Sequence, residues 1–349
     1  MFALMRLKSC VLYRQPHAAY GRGQPMGETQ PVAADAFLAD ALEPGQRKVA
    51  IAALLVVTSV WGATFIWMKQ ALNELQPEIE TYGSNRVVAV LVAARFAIAA
   101  IVMLVFFPKA RAALSEPEQW KGGAVLGGLM LIGFVTQMIG LDEINPAVSA
   151  FLTSLYVVFT AIITIIMTKS RPTRALMFGV VLATFGAGFI QGPPHLTWGF
   201  GEALTVVCAV FFALHIIYTQ KITQVMEPVG VTQTSFAVVT IGAIALTFLL
   251  GGGRTMDEWS FIFDDGVFIP VLCLGIGGSL FCLLVLNMFQ RYLHPIQAAI
   301  IYAFEPVWAT MYGLGLDLVE WSPWILVGGG ALFLGNIVVE VFTHGDSEE

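Results

Sequence analysis

Glu305 is the residue with the most chemistry to offer. It stands ten positions beyond Pro295 in an otherwise apolar run, which at 1.5 Å per helical residue is about 15 Å along a helix axis. If that helix crosses a bilayer, the carboxylate lies near the middle, where an ionised acid costs a few kcal/mol. A carboxylate held there would bind a cationic or amine-bearing molecule, or exchange a proton. The competing reading is structural: Pro306 has no N–H, which frees a carbonyl one turn back, and a glutamic acid can satisfy helix ends loosened in this way.

Other polar residues fall on shared faces. Ser149, Thr153, Tyr156, Thr160 and Thr164 recur at i, i+4, i+7, i+11 and i+15, and Tyr302, Glu305, Trp308 and Tyr312 follow a similar spacing, so each set occupies one side of a helix. Two such faces would line a pore or pocket, although Ser and Thr also bond back to their own helix. Arg95 is a cation within an apolar run and would pair with an acid or snorkel to the surface. His215, Gln137 and Asn287 are isolated polar groups among apolar neighbours, read either as packing residues with hydrogen bonds or as cavity lining. Cys10, Cys208, Cys273 and Cys282 form no CxxC pair and no His/Cys cluster, so no metal or cofactor is expected. Walker A, Gly-x-Ser-x-Gly and His-Glu-x-x-His patterns are all absent from the sequence, which argues against ATP as energy source and against an enzyme.

These residues need a scaffold, and the composition says which. The 349-residue chain is 57% hydrophobic and 12% charged, whereas soluble domains run near 45–50% apolar and about 25% charged. From residue 49 the apolar residues gather into ten candidate spans, near 49–68, 87–107, 122–141, 146–168, 175–191, 199–220, 232–250, 267–289, 295–316 and 321–341. Continuous runs of this length fit helices in a lipid bilayer, not the alternating strands of a barrel. Lys109, Arg111, Lys121, Lys169, Lys221 and Arg291 collect on one side with both termini, while the other side is mostly acidic. The positive-inside rule then predicts cytoplasmic termini. No basic patch suggests nucleic acid. Residues 1–48, rich in proline and polar residues, read as a mobile tail, cytoplasmic or targeting, and 342–349 as a short cytoplasmic tail. The cell membrane is the expected location, with a plastid or other organelle envelope as the alternative.

The chain also repeats. A shift of 149 positions lays Asn145-Pro146-Ala147-Val148-Ser149-Ala150 over His294-Pro295-Ile296-Gln297-Ala298-Ala299, Gly179 over Gly328 and Gly186 over Gly335. Each copy, 49–191 and 199–341, holds five spans, and an odd number makes the second copy cross in the opposite sense. The expected fold is all-α: ten transmembrane helices as two inverted five-helix repeats, with a site near the midplane between them.

Trp61-Gly62-Ala63-Thr64-Phe65 with Lys69, Ala94-Arg95-Phe96, the run Phe151 to Phe159 and Glu305-Pro306-Val307 resemble the EamA-type members of the drug/metabolite transporter superfamily. The resemblance covers about residues 49–341. It implies a ten-helix transporter whose central cavity is lined by spans one, three, four, six, eight and nine, the spans that carry Trp61, Thr64, Gln137, Thr153, Tyr156, Thr160, His215, Asn287, Tyr302, Glu305 and Trp308. Trp61 reads equally as helix packing. Pro306 has no counterpart in span four, where Val157 stands, so the two halves are not expected to flex alike. The region after span four is basic, Lys169-Ser170-Arg171, where the end of the second half is acidic at Glu320. The function this implies is a secondary transporter of a small organic metabolite such as an amino acid or amine, an exporter working by alternating access with proton coupling at Glu305. An uncoupled facilitator, or a receptor that binds without flux, is the alternative. A homodimer is left open.

Overall fold

The computed structural model describes residues 44–144, 146–169, 172–189, 198–251, 257–317 and 320–343, all within one unit spanning Phe37–Glu349. The expected N-terminal tail lies outside these residues up to position 43, as does the C-terminal tail from 344. Every regular element among the described residues is helical. The principal ones are α1 (Pro44–Glu74), α2 (Ser84–Phe106), α3 (Pro117–Glu143), α4 (Pro146–Ser154), α5 (Tyr156–Thr168), α6 (Arg174–Phe189), α7 (Phe200–Thr223), α8 (Pro228–Leu250), α9 (Asp265–Cys273), α10 (Cys282–Phe289), α11 (Pro295–Tyr302), α12 (Glu305–Gly315) and α13 (Pro323–Thr343). A π-helical turn, Leu274–Phe281, joins α9 to α10.

Local sequence explains many of the boundaries. Proline opens α3, α8 and α11, where its missing N–H is among the unpaired donors of a first turn. Glu227 caps α8 by accepting from Gly230 N at 2.7 Å, and Glu202 Oε2 accepts from Gly199 N at 2.9 Å at the start of α7. Lys169 ends α5 in the left-handed region with φ 56°, its N–H bonded to Ile165 O at 2.8 Å.

Seven helical stretches among the described residues are long and apolar enough to cross a membrane, and two further apolar helices, Arg174–Phe189 and Pro323–Val338, are shorter. The exterior is apolar, with Val105, Ile166, Leu249 and Phe333 more than half exposed. The interior holds Arg95, Gln137, Thr160, Thr205, Thr232 and Gln290, each 3% exposed or less. This inversion of the water-soluble pattern fits a hydrocarbon solvent, since polar groups then seek partners inside the protein. The chain is an integral multi-pass membrane protein.

The expected ninth span is not one helix but two. α11 ends at Tyr302 and α12 begins at Glu305, with Phe304 N bonded to Ile301 O at 3.1 Å. The expected fourth span breaks in the same way at Leu155, whose N–H bonds Leu152 O at 3.2 Å. Leu155 and Phe304 are 149 positions apart. Pro306 accounts for the second break; the first forms without proline, so both spans interrupt their ladders at the same offset.

Helix pairings recur at that offset too. α3 packs on α7, and the α9–α10 segment packs on α1; α4 and α5 meet α7, and α11 and α12 meet α1. α2 pairs with α8, and α6 with α13. Two cores result: one holds Phe96, Phe134 and Phe236, the other Leu54, Tyr156 and Tyr302, and Trp61 and Phe212 pack against both.

Candidate functional site

Between the two cores lies a narrow cavity of about 50 Å³. Its wall comes from Trp61 and Thr64 on α1, Met130, Phe134 and Gln137 on α3, and Thr153 and Tyr156 flanking the break at Leu155. Phe212, His215 and Ile216 on α7, Leu283 and Leu286 on α10, and Tyr302 and Glu305 flanking the other break complete it. Both helix breaks therefore open onto the same space. An interrupted helix turns side chains and backbone ends towards one point, and non-helical backbone at membrane depth is tolerated where it faces such a cavity.

The polar groups in this wall divide into held and unheld. Trp61 Nε1 donates to Gly278 O at 3.2 Å, and its ring meets Tyr302 edge-on with centroids 5.5 Å apart. Thr64 donates to Trp61 O at 2.7 Å. Tyr302 donates to Gln290 Oε1 at 2.9 Å. Gln137 Nε2 reaches Thr153 Oγ1 at 3.4 Å. By contrast, Tyr156 OH and His215 Nε2 are buried with no hydrogen-bond partner, and among the described residues no hydrogen bond or ion pair engages the buried Glu305 carboxyl group. Tyr156 and Glu305 are close enough to interact electrostatically. An acid, a phenol and an imidazole, each without a hydrogen-bond partner among the described residues, thus face one apolar-walled space.

Eight of the expected cavity residues, Trp61, Thr64, Gln137, Thr153, Tyr156, His215, Tyr302 and Glu305, are brought together here. Thr160, Asn287 and Trp308 are not in the lining. Thr160 is fully buried one to two turns along α5. Asn287 is taken by α8, donating to Thr232 Oγ1 at 2.7 Å. Trp308 is taken by α1, donating to Thr58 Oγ1 at 3.1 Å, and it stacks on Tyr312.

Arg95 neither snorkels nor pairs with an acid. It is 1% exposed, donates through Nε to Ser279 Oγ at 2.9 Å, and lies over the rings of Phe134 and Phe96 at 4.6 and 5.3 Å. No carboxylate forms an ion pair with it among the described residues. Its guanidinium sits behind the cavity: a Cβ on Gly278 would come within 2.7 Å of Thr64 Cγ2 and 3.2 Å of Arg95 Nη2.

The sequence reading missed Met130, Phe134, Phe212, Ile216, Leu283 and Leu286, which make the wall apolar. Their spacing carried the signal. Met130, Phe134 and Gln137 follow i, i+4, i+7, and Phe212 precedes His215 by three, so each shares a helix face with a polar residue singled out beforehand. Gln290 was also missed. It is fully buried, accepts from Tyr302 and donates to Ile216 O at 2.6 Å.

Residues 48–191 match the EamA-like transporter family. Two proteins of Archaeoglobus fulgidus, each named an uncharacterized transporter, are similar over most of the chain. One is 25% identical over 297 residues, 85% of this chain and 87% of that protein; the other is 23% identical over 291 residues, 82% and 96%. A solved crystal structure shares the fold with TM-score 0.65 and 14% identity, across 87% of this chain and the whole of that one. The chain is thus similar to the EamA-like transporter family across residues 48–191, and to two proteins named transporters over most of its length.

Proposed function

We propose that the protein is a secondary transporter that moves a small amine-bearing metabolite, such as an amino acid, through this cavity by alternating access, outward and coupled to protons. The observation that carries the reading is Glu305: a buried carboxyl group without a hydrogen-bond partner among the described residues, facing a cavity beside a phenol and an imidazole unpaired in the same sense. An ammonium group would pair with the carboxylate, and a proton would replace it when the site is empty, so the two compete for one position.

The architecture proposed with it is ten spans in two inverted repeats, 49–191 and 199–341. The matching breaks at Leu155 and Phe304 and the helix pairings related by 149 residues support it. Five spans per copy and the bias of Lys and Arg support cytoplasmic termini.

Flux of a labelled amino-acid and amine panel into liposomes holding the purified protein, with and without a proton gradient, tests this. Saturable flux driven by the gradient, with the gradient dependence abolished by Glu305→Gln, is expected. Flux indifferent to the gradient would make the protein a facilitator, and binding without flux would make it a receptor.

A further inference from the structure

A seam of unpaired polar atoms leaves the cavity along α5 and α7. The two helices pack together, and because one crossing, α6, separates them in sequence, they run in the same direction. Cys208 on α7 meets the Thr153 side chain. Thr160 and Thr164 follow that contact by seven and eleven residues across the break at Leu155, and His215 and Thr219 follow it by the same numbers along α7. On two helices running the same way they therefore fall at similar levels, with Thr160 and Thr164 sharing one face of α5 and His215 and Thr219 one face of α7.

Among the described residues Tyr156 OH, Thr160 Oγ1, Thr164 Oγ1, His215 Nε2, Thr219 Oγ1 and Gln220 Oε1 are all without a hydrogen-bond partner, and each residue is at most 6% exposed. Threonines in helices ordinarily bond back to the preceding turn, as Thr168 does to Thr164 O at 2.8 Å and Thr223 to Thr219 O at 2.7 Å. The three in the seam do not. A buried hydroxyl left unpaired costs about 1–3 kcal/mol, and buried polar groups that lack protein partners are characteristically served by ordered water.

We infer that a file of buried waters runs between α5 and α7 from the cavity to the Thr168–Thr223 end and conducts the proton to and from Glu305. Successive pairs are one helical turn, about 6 Å, apart along the axis, a gap one or two bridging waters span. The step is proton transfer alone: the carboxylate takes a proton from its neighbouring water and the file restores it from the far end, with the reverse on release. Around the cavity end the titratable and charged groups facing Glu305 are Tyr156, His215, Tyr302, Cys208 and Cys282, with Arg95 behind Phe134. Towards the far end stand Lys169, Arg174, Tyr218, Lys221, Arg291 and His294. This inference rests on the proton-coupled reading of Glu305.

Two measurements separate them. In protein whose native cysteines are replaced, Thr160→Cys, Thr164→Cys and Thr219→Cys are each exposed to methanethiosulfonate ethylammonium in vesicles, beside Ala161→Cys as a dry control and Lys169→Cys as an exposed one. The seam positions are expected to react at rates closer to Lys169→Cys; rates as low as Ala161→Cys in all three overturn the water file, whatever Glu305 does. Separately, the vesicles are loaded with a pH-sensitive dye. Thr160→Val combined with Thr219→Val is expected to slow substrate-linked proton movement by about tenfold, less than the roughly 10²-fold of losing the proton acceptor itself, and the Ser pair is expected to restore it. An unchanged rate in the Val pair, with Glu305→Gln uncoupled, removes the path and leaves the transporter reading standing. An unchanged rate in Glu305→Gln removes the coupling reading instead.

Discussion

Tyr302 and Gln290 are joined by a 2.9 Å hydrogen bond from the phenol to Oε1, and the same glutamine amide holds Ile216 O at 2.6 Å. One buried side chain thus ties the cavity face of α11 to the backbone of α7 beside His215. Gln290→Leu is expected to strand both partners, costing roughly 1–3 kcal/mol for each group left unpaired. A lowered melting temperature in detergent, with a raised KM for transported substrate, checks this.

Gly62 permits the approach of α1 to α12. A Cβ there would fall 2.6 Å from Trp308 Cβ and 2.8 Å from Ala309 N, and neither atom can rotate away. Gly62→Ala is expected to destabilise the protein by about 1–3 kcal/mol through overpacking. Gly128→Ala, where nothing lies within 4 Å, should leave the melting temperature unchanged or raise it.

Ser279 supplies a hydrogen bond to the buried Arg95 guanidinium. Removing it with Ser279→Ala is expected to cost about 1.5–3 kcal/mol, the range for a bond to a charged group. Arg95→Lys is expected to fare worse than its unchanged charge suggests, because an ammonium cannot lie flat on Phe134 and Phe96 while donating sideways to Ser279. Thermal melts of the two variants measure both effects.

His294 lies in the connection before α11, where its Nδ1 accepts from Ile296 N at 3.3 Å. Burial depresses its pKa from the ordinary 6.5 to about 4. Between those values the unfolded chain binds a proton that the folded one refuses, so the contribution is full above pH 6.5 and fades as pH falls towards 4. The melting temperature of the wild-type protein should fall more steeply over that window than that of His294→Asn, which caps the helix without titrating.

Tyr156→Phe and Trp308→Phe contrast cavity with packing. Tyr156 has no protein partner for its hydroxyl, so its loss should cost little stability and alter KM. Trp308→Phe should forfeit about 1 kcal/mol with Thr58 unpaired and leave KM alone.

What the sequence revealed, and what it hid, follows from the solvent. In lipid a polar side chain turns inward, so Gln137, Thr153, Tyr156, His215 and Glu305 could be assigned to the interior; helical periodicity put Thr153 with Tyr156 on one face and Glu305 on a second, while His215 and Gln137 joined them only through the family resemblance. Periodicity cannot say which neighbour an inward group meets. Asn287 and Trp308 face inward as expected, yet Thr232 and Thr58 claim them, a matter of packing between helices far apart in the chain. Phe134 and Phe212 stayed hidden because an aromatic in an apolar run is the commonest packing residue. The break at Leu155 has no proline or glycine to mark it, and only its relation to Phe304 would have suggested it.

That difference in origin gives the two breaks different reversibility. Around Leu155 every residue keeps its N–H, and Val157 could bond to Thr153 O, so α4 and α5 can anneal into one continuous rod. Pro306 has no hydrogen to offer Tyr302 O, and its ring fills the place where that bond would form. α11 and α12 are therefore permanently articulated, while their counterparts retain a straight form, and a pair of symmetric joints acquires one hinge that heals and one that does not.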